Sequence, residues 1–363
     1  MFSKIINEVK SSFLSNSNIS REAQCEDVIE VCYWLKLKNN HNSFNTYRVV
    51  IFRFLIWMKK SGIKLKSMTN RDIIDYYQFI QNPPESWCGS RHHFSHPEWR
   101  PFRSSLSKNS IKFNMQILRQ LCNDLAQTGY ILKSPFPKIT YSDTKELSIE
   151  KYLTLAEFKG MLNFITSLPE DCNSSRDFKI RIKWTIMLLI YTGARRSEAA
   201  NAKMSDLIYK NNRVWFKVVG KGNKYGEIPI LPELINHLNE YREAFGLPNI
   251  NNRTTSETNI PLIIRLVKNE YRTITAATIW NDIKKLCSMF ALTGVDNQAF
   301  SDKLLHVSTH WFRHSSATFQ VNAGVDIRIV QKNLRHSSIE TTMKYQHIQQ
   351  DIQHDETTQK FII

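Results

Sequence analysis

No apolar run in this chain is long enough to cross a bilayer. The longest, Trp184 to Tyr191, falls far short of the roughly 20 residues that a spanning helix needs, and it reads as a buried helix. Charge interrupts Met1-Phe2-Ser3-Lys4-Ile5-Ile6-Asn7-Glu8 too early for a secretory leader. The six cysteines (Cys25, Cys32, Cys88, Cys122, Cys172, Cys287) follow no regular spacing, which argues against a disulfide framework and for reduced thiols in a cytoplasmic protein. Internal repeats and low-complexity tracts are absent. Gly220-Lys221-Gly222 lacks the Gly-x-x-x-x-Gly-Lys-Ser/Thr spacing of a nucleotide loop and opens no helix. His310 and His314 lack the intervening Glu of a zinc-protease motif. Cys88, His92, His93 and His96 crowd between Trp87 and Trp99 without a second, well-separated ligand pair. A basic, aromatic DNA-facing loop or a plain insertion is therefore expected there rather than zinc. No metal or other cofactor is called for.

Positive charge is what the chain has in excess. Lys and Arg number 49 against 33 Asp and Glu, a formal net charge of +16 with a pI near 9.5. Such a balance favours a polyanionic partner and fast, salt-sensitive association. At 363 residues the chain is long enough for two domains with cores of their own.

The pattern from Ala23 to about Tyr130 is helical. Tyr47, Val50, Ile51, Phe54, Leu55 and Met58 recur at three- and four-residue steps, between a cap at Ser43 and a stop at Gly62. Further helices are predicted from Thr69 and from Lys108 to Ala126, with an irregular stretch from Pro83 to Leu106 between them. Pro135 and Pro137 then interrupt helix and open a linker. We read residues 1–135 as one domain, 136–150 as linker and 151–363 as a second domain ending in a tail. In that second domain Thr154 starts a helix, and Val214 to Val219 with Glu227 to Ile230 reads as a hairpin, the domain's one small sheet. Later helices are expected at Ala276–Phe290, Thr309–Asn322, Asp326–Leu334 and Ser338–Ile348, the last with a Ser337-x-x-Glu340 capping box.

The chemistry-bearing residues lie in the second domain. Thr192-Gly193-Ala194-Arg195-Arg196-Ser197-Glu198 offers arginine at a helix start, with Glu198 placed to hold a guanidinium by charge-assisted bonds. Lys221 and Lys224 sit at the hairpin tip, and an ammonium there can release a proton as an arginine will not. His310 and Arg313 share a helix face. His336 and Tyr345 come next, nine residues apart. Two arginines, two histidines and a tyrosine suit attack on a phosphodiester, because the guanidinium fork matches phosphate oxygens and stays charged.

The order Arg, hairpin Lys, His-x-x-Arg, His, Tyr resembles the tyrosine recombinase (phage integrase) family. The pieces are Thr192–Glu198, Val219–Lys224 before Ile228-Pro229-Ile230, His310–Arg313 and Leu334–Tyr345. One departure is Arg335, where the family usually has the glycine that permits a left-handed turn. The resemblance implies a mainly α fold with a small β-sheet. It joins an N-terminal helical core-binding (SAM-like) domain that clamps DNA to a C-terminal tyrosine-recombinase catalytic domain. It also selects Arg195 over Arg196 and Lys221 over Lys224. Arg195 and Arg313 become phosphate clamps, His310 the proton acceptor for the tyrosine, His336 a donor to a non-bridging oxygen and Tyr345 the nucleophile. Ser43 through Trp57 resembles the family's core-binding helices, and Thr46, Arg48 and Arg53 there, with Lys108 and Lys112 on a later helix, are candidate DNA contacts, a solvated face being the alternative.

In function, the resemblance implies a site-specific recombinase that cleaves and rejoins double-stranded DNA through a 3′-phosphotyrosyl link, without metal or ATP. Its partners would be specific target sites, a homo-tetramer on paired sites, and accessory DNA-bending proteins. Its location would be the prokaryotic cytoplasm, on the nucleoid when DNA-bound. A type IB topoisomerase and a catalytically silent DNA-binding protein are the alternatives. Integration, excision, inversion and dimer resolution stay open.

Overall fold

The computed structural model describes residues 21–38, 41–90, 92, 96–137, 151–220, 225–293 and 297–345. The chain divides into two compact units, Met1–Thr144 and Lys145–Ile363, each with its own hydrophobic core. Most of the expected linker, along with Lys221, Lys224, His93 and the tail from 346, lies outside the described residues. Among the described residues no helix is long and apolar enough to cross a membrane. Among the described residues, Cys32, Cys88, Cys122, Cys172 and Cys287 form no disulfide.

The first unit is built from α1 (Arg21–Lys36), α2 (His41–Ser61), α3 (Asn70–Gln81) and α4 (Lys108–Gln127). The apolar stripe on α2 is buried at Val50, Ile51, Phe54, Leu55 and Met58, as helical periodicity requires. This helix starts at His41, ahead of Ser43, and gives way to Gly62 at φ +68°. A capping box opens α3: the Thr69 hydroxyl accepts from Asp72 N and the Asp72 carboxylate accepts from Thr69 N at 2.7 Å. Buried Asp27 accepts from Leu65 N at 3.0 Å and from the Tyr130 hydroxyl at 2.7 Å, so one carboxylate ties α1 to two connecting segments. The irregular stretch between α3 and α4 is pinched at its neck, where Gly89 N donates to Phe102 O and Phe102 N to Trp87 O, both at 3.0 Å.

The second unit packs around α6 (Asn173–Thr192), buried on nearly every face from Trp184 to Ile190. The long apolar run is thus a core helix. Before it comes α5 (Leu155–Ser167), capped by Thr154 and Glu157, and after it the short α7 (Arg196–Asn201). An antiparallel sheet follows, β1 (Leu207–Lys210), β2 (Arg213–Val219) and β3 (Tyr225–Pro229), with Val218 opposite Gly226. Next are α8 (Pro232–Ala244), a second hairpin of β4 (Ile264–Val267) and β5 (Glu270–Thr273), α9 (Ala276–Thr293) and α10 (Gln298–His306). The unit ends with α11 (Thr309–Asn322), α12 (Ile327–Leu334) and α13 (Glu340–Met343).

Two expectations need correction. Among the described residues the domain has two small sheets rather than one, because β4 and β5 turn on Lys268 and Asn269, both at positive φ, as Asn211 and Asn212 do between β1 and β2. Two-residue hairpins demand such backbones, which Asn tolerates and glycine usually advertises. The expected helix from Ser338 is only one turn, Glu340–Met343, within the described residues. Its N-cap, Ile339, makes no side-chain cap bond, so no capping box forms, and Tyr345 lies just past the last helical residue.

Candidate active site

The site begins where α6 ends. Gly193 sits at φ +58°, and a Cβ there would lie 2.5 Å from Leu334 Cδ2 and 3.2 Å from Ser316 Oγ. Only glycine permits both this turn and the approach of α12. The bend delivers Arg195 as the residue preceding α7. Glu198 accepts from Arg195 N at 2.6 Å and from Arg195 Nη1 at 2.9 Å. The Glu198 side chain is 2% exposed and that of Arg195 is 39% exposed. The carboxylate is therefore a buried anchor, and the guanidinium it orients still faces solvent.

Arg313 is buried on α11 and bridges two elements. Its Nη1 donates to Gly193 O at 2.6 Å and its Nη2 to Leu334 O. Burial first, then the charges of Arg195 and Arg335, lower its pKa to about 10, so it remains a cation at neutral pH. A third guanidinium, Arg335, reaches Glu198 Oε2 through Nη2 at 2.5 Å. Arg335 is left-handed, φ +55°, so the backbone shape that glycine would favour survives without glycine. Three guanidinium groups around one carboxylate leave a net positive field, as an anion site requires.

Tyr345 is largely buried, and its hydroxyl contacts His314 Nδ1. Its ring centroid lies 5.4 Å from that of His314 and 6.5 Å from that of His336. Burial raises the phenol's pKa, and Arg313 opposes the rise. His314 falls to about 4, by burial first and then by His310, Arg313 and Lys151. His336 also falls to about 4, by burial first and then by Arg313 and Arg195. Its Nδ1 pairs with the hydroxyl of fully buried Thr342 at 2.8 Å, which leaves Nε2 unengaged by that bond. His310, on α11, lies edge-on to His314 at 4.4 Å, its pKa lowered by partial desolvation and then by Arg313 and Arg195.

Arg195, Glu198, His310, Arg313, His336 and Tyr345 thus converge, while Lys221 lies outside the described residues. Sequence reasoning missed two residues of this cluster. His314 touches the Tyr345 hydroxyl where His310 was expected, and its one available signal was the i,i+4 step from His310, which puts both rings on one face. Arg335 registered only as a missing glycine.

In the first unit Thr46, Arg48, Lys108 and Lys112 lie on α2 and α4 at the surface or partly exposed. Arg53 is engaged within its own unit: its Nε donates to Pro101 O at 2.7 Å and its guanidinium lies 4.7 Å from the Phe102 ring. In the loop, the ligand atoms of His92, His96 and Glu98 lie within 4.8 Å of one another. Donors about 2.0–2.1 Å from one tetrahedral zinc sit roughly 3.4 Å apart. His96 Nδ1 accepts from Glu98 N at 3.2 Å, and His92 Nε2 lies 3.4 Å from Glu98 Oε2.

Residues 151–351 match the phage integrase family. The tyrosine recombinase XerD of Haemophilus influenzae is 24% identical over 316 residues, covering 87% of this chain and 90% of that protein. XerD of Yersinia pestis is 30% identical over 184 residues, 51% of this chain and 55% of that one. Among solved structures, XerH site-specific recombinase bound to palindromic difH substrate aligns with a TM-score of 0.59 at 18% identity, over 99% of this chain and 95% of that one. The Tn1549 transposon integrase with transposon right-end DNA aligns with a TM-score of 0.61 at 17% identity, over 92% and 98%.

Proposed function

The chain belongs to the phage integrase family of tyrosine recombinases, enzymes that cleave and rejoin DNA, and from that premise we propose how its own residues do so. Tyr345 Oη attacks the scissile phosphorus while its proton passes to His314 Nδ1. The P–O5′ bond breaks, and the departing O5′ takes a proton from Lys221. A 3′-phosphotyrosyl ester is left on the protein. Attack by a 5′-hydroxyl reverses these steps, so the phosphodiester's energy is retained and strands rejoin without ATP.

Arg195 and Arg313 stabilise the charge that grows on the non-bridging oxygens. A guanidinium has five N–H donors, and the bonds of Arg313 to Gly193 O and Leu334 O leave others for phosphate. His336, with Nδ1 held by Thr342, presents Nε2 to the same oxygens. Residues 1–135 bind the duplex, with Thr46, Arg48, Lys108 and Lys112 as its DNA contacts. The functional assembly is a homo-tetramer on two specific sites, with accessory DNA-bending proteins where a site requires them.

The observation that carries this reading is the Tyr345 hydroxyl seated against a neutral imidazole among the arginines around Glu198. The test is Tyr345→Phe on a nicked suicide duplex in excess EDTA. Wild type should form a covalent adduct that survives SDS, and the variant should bind the duplex equally while forming none. An adduct in the variant, or a wild-type adduct that requires added metal, would overturn the reading.

A further inference from the structure

We propose that Arg335 is a positioning residue that locks the Arg195–Glu198 pair to the β2–β3 hairpin. The proposal rests on the recombinase reading above, in which that hairpin carries the leaving-group lysine. Arg335 takes a left-handed backbone at the end of α12, which a residue with a Cβ disfavours. Something must compensate for that conformation, and the side chain's contacts supply it. Nη2 donates to Glu198 Oε2 at 2.5 Å, and Nη1 donates to Asn333 O at 2.9 Å. The Arg335 side chain is only 13% exposed.

The aliphatic shaft makes the second connection. A Cβ built on Gly226 would collide with Arg335 Cδ and lie 3.2 Å from Cγ. Gly226 has no left-handed backbone to explain it, so close approach is what that position requires. It sits on β3 opposite Val218 of β2, next to Tyr225, the first described residue after the loop that holds Lys221. The shaft of Arg335 thus rests on the backbone of the strand leading out of that loop, and its guanidinium rests on the carboxylate that orients Arg195. His336 is the next residue in the chain. One side chain therefore fixes the relative placement of three proposed participants, Arg195, His336 and the lysine hairpin. A glycine at 335 would keep the turn and lose both connections.

The geometry makes a specific demand on a double-mutant cycle. Arg335→Gly should keep the fold and half-site binding, because glycine suits φ +55°, while melting lower than wild type, because Glu198, 2% exposed, loses one of its two arginine partners. It should slow adduct formation at saturating suicide duplex about tenfold, and Arg335→Lys, which keeps charge but loses the planar fork, should restore only part. Gly226→Ala should also slow adduct formation, by displacing the Arg335 shaft. Combined with Arg335→Gly it should cost nothing more, since the clash has been removed. Hydrogen exchange gives a readout independent of DNA: amides around Val218 and Gly226 should exchange faster in Arg335→Gly, with α8 and α9 unchanged. Wild-type cleavage by Arg335→Gly, strictly multiplicative losses in the double variant, or unaltered hairpin exchange would each overturn the proposal. Absence of any adduct in wild type would instead count against the recombinase reading.

Discussion

Replacing His314 with alanine should change the pH dependence of DNA cleavage as well as its rate. An unassisted phenol has a pKa near 10, so forming phenolate at pH 7 costs about 3 × 1.36, or roughly 4 kcal/mol. Burial pushes Tyr345 higher still. A neutral imidazole on the hydroxyl avoids free phenolate by taking the proton as the P–O bond forms, and general-base assistance of this kind is typically worth about 10²- to 10⁴-fold. The sign comes from the shift. His314 is lowered to about 4, so the neutral, accepting form predominates at pH 7 and is lost only as pH falls toward that value. An incoming phosphate raises the pKa somewhat, because its negative charge favours imidazolium. Wild-type cleavage should therefore be level from about pH 6.5 to 9 and decline on the acid side. In His314→Ala it should fall about 10²- to 10⁴-fold at pH 7 and climb about tenfold per pH unit, as free phenolate becomes the reactant. Single-turnover adduct formation on a suicide duplex, from pH 5 to 9.5, measures both profiles. A level profile at near wild-type rate in His314→Ala would refute the assignment. The steep profile appearing in His310→Ala instead would move the base to His310.

Within the cluster, the pairings that local spacing sets were legible. Arg195 and Glu198 stand three apart at a helix start, and three is the reach of a capping carboxylate, so the pairing follows from local geometry. His310 and Arg313 occupy one helix face for the same reason. Helix faces and caps in the first unit were equally readable, since Ile111, Met115, Leu118 and Leu121 turn inward together on α4. What could not be read depended on residues distant in sequence. The contact of His314 with Tyr345 spans 31 residues and exists only because α12 and α13 return the chain over α11. Arg335 looked like a defect in a turn because neither Glu198 nor Gly226 is near it in sequence. Helical periodicity likewise cannot show that Pro101 and Phe102 lie against the Arg53 guanidinium. The β4–β5 hairpin was invisible because Lys268-Asn269 carries no glycine.

Two further outcomes concern the leaving group and the core. Lys221→Ala should slow cleavage of an ordinary phosphodiester about 10²- to 10⁴-fold. A 5′-bridging phosphorothiolate, which leaves as a good thiolate, should restore it; rescue of Lys224→Ala alone would identify the other lysine. The second outcome is one of stability. Arg242 is fully buried, its Nη2 donates to Glu257 at 2.5 Å, its Nε donates to Pro248 O at 2.7 Å, and its Nη1 has no partner. Glu257→Gln keeps a hydrogen-bond acceptor but leaves that guanidinium without a counter-charge, a change that typically costs about 3–5 kcal/mol. At about 2–4 °C per kcal/mol for a domain of this size, the catalytic unit should melt roughly 6–20 °C lower. Replacing both partners with apolar residues, Arg242→Met with Glu257→Leu, should recover much of the loss, because two desolvated charges disappear together. Calorimetric melting resolves the cases. A drop below about 3 °C in Glu257→Gln would show that Arg242 is solvated when its partner is neutralised. A double variant no better than the single would show that the pair contributes through shape rather than charge.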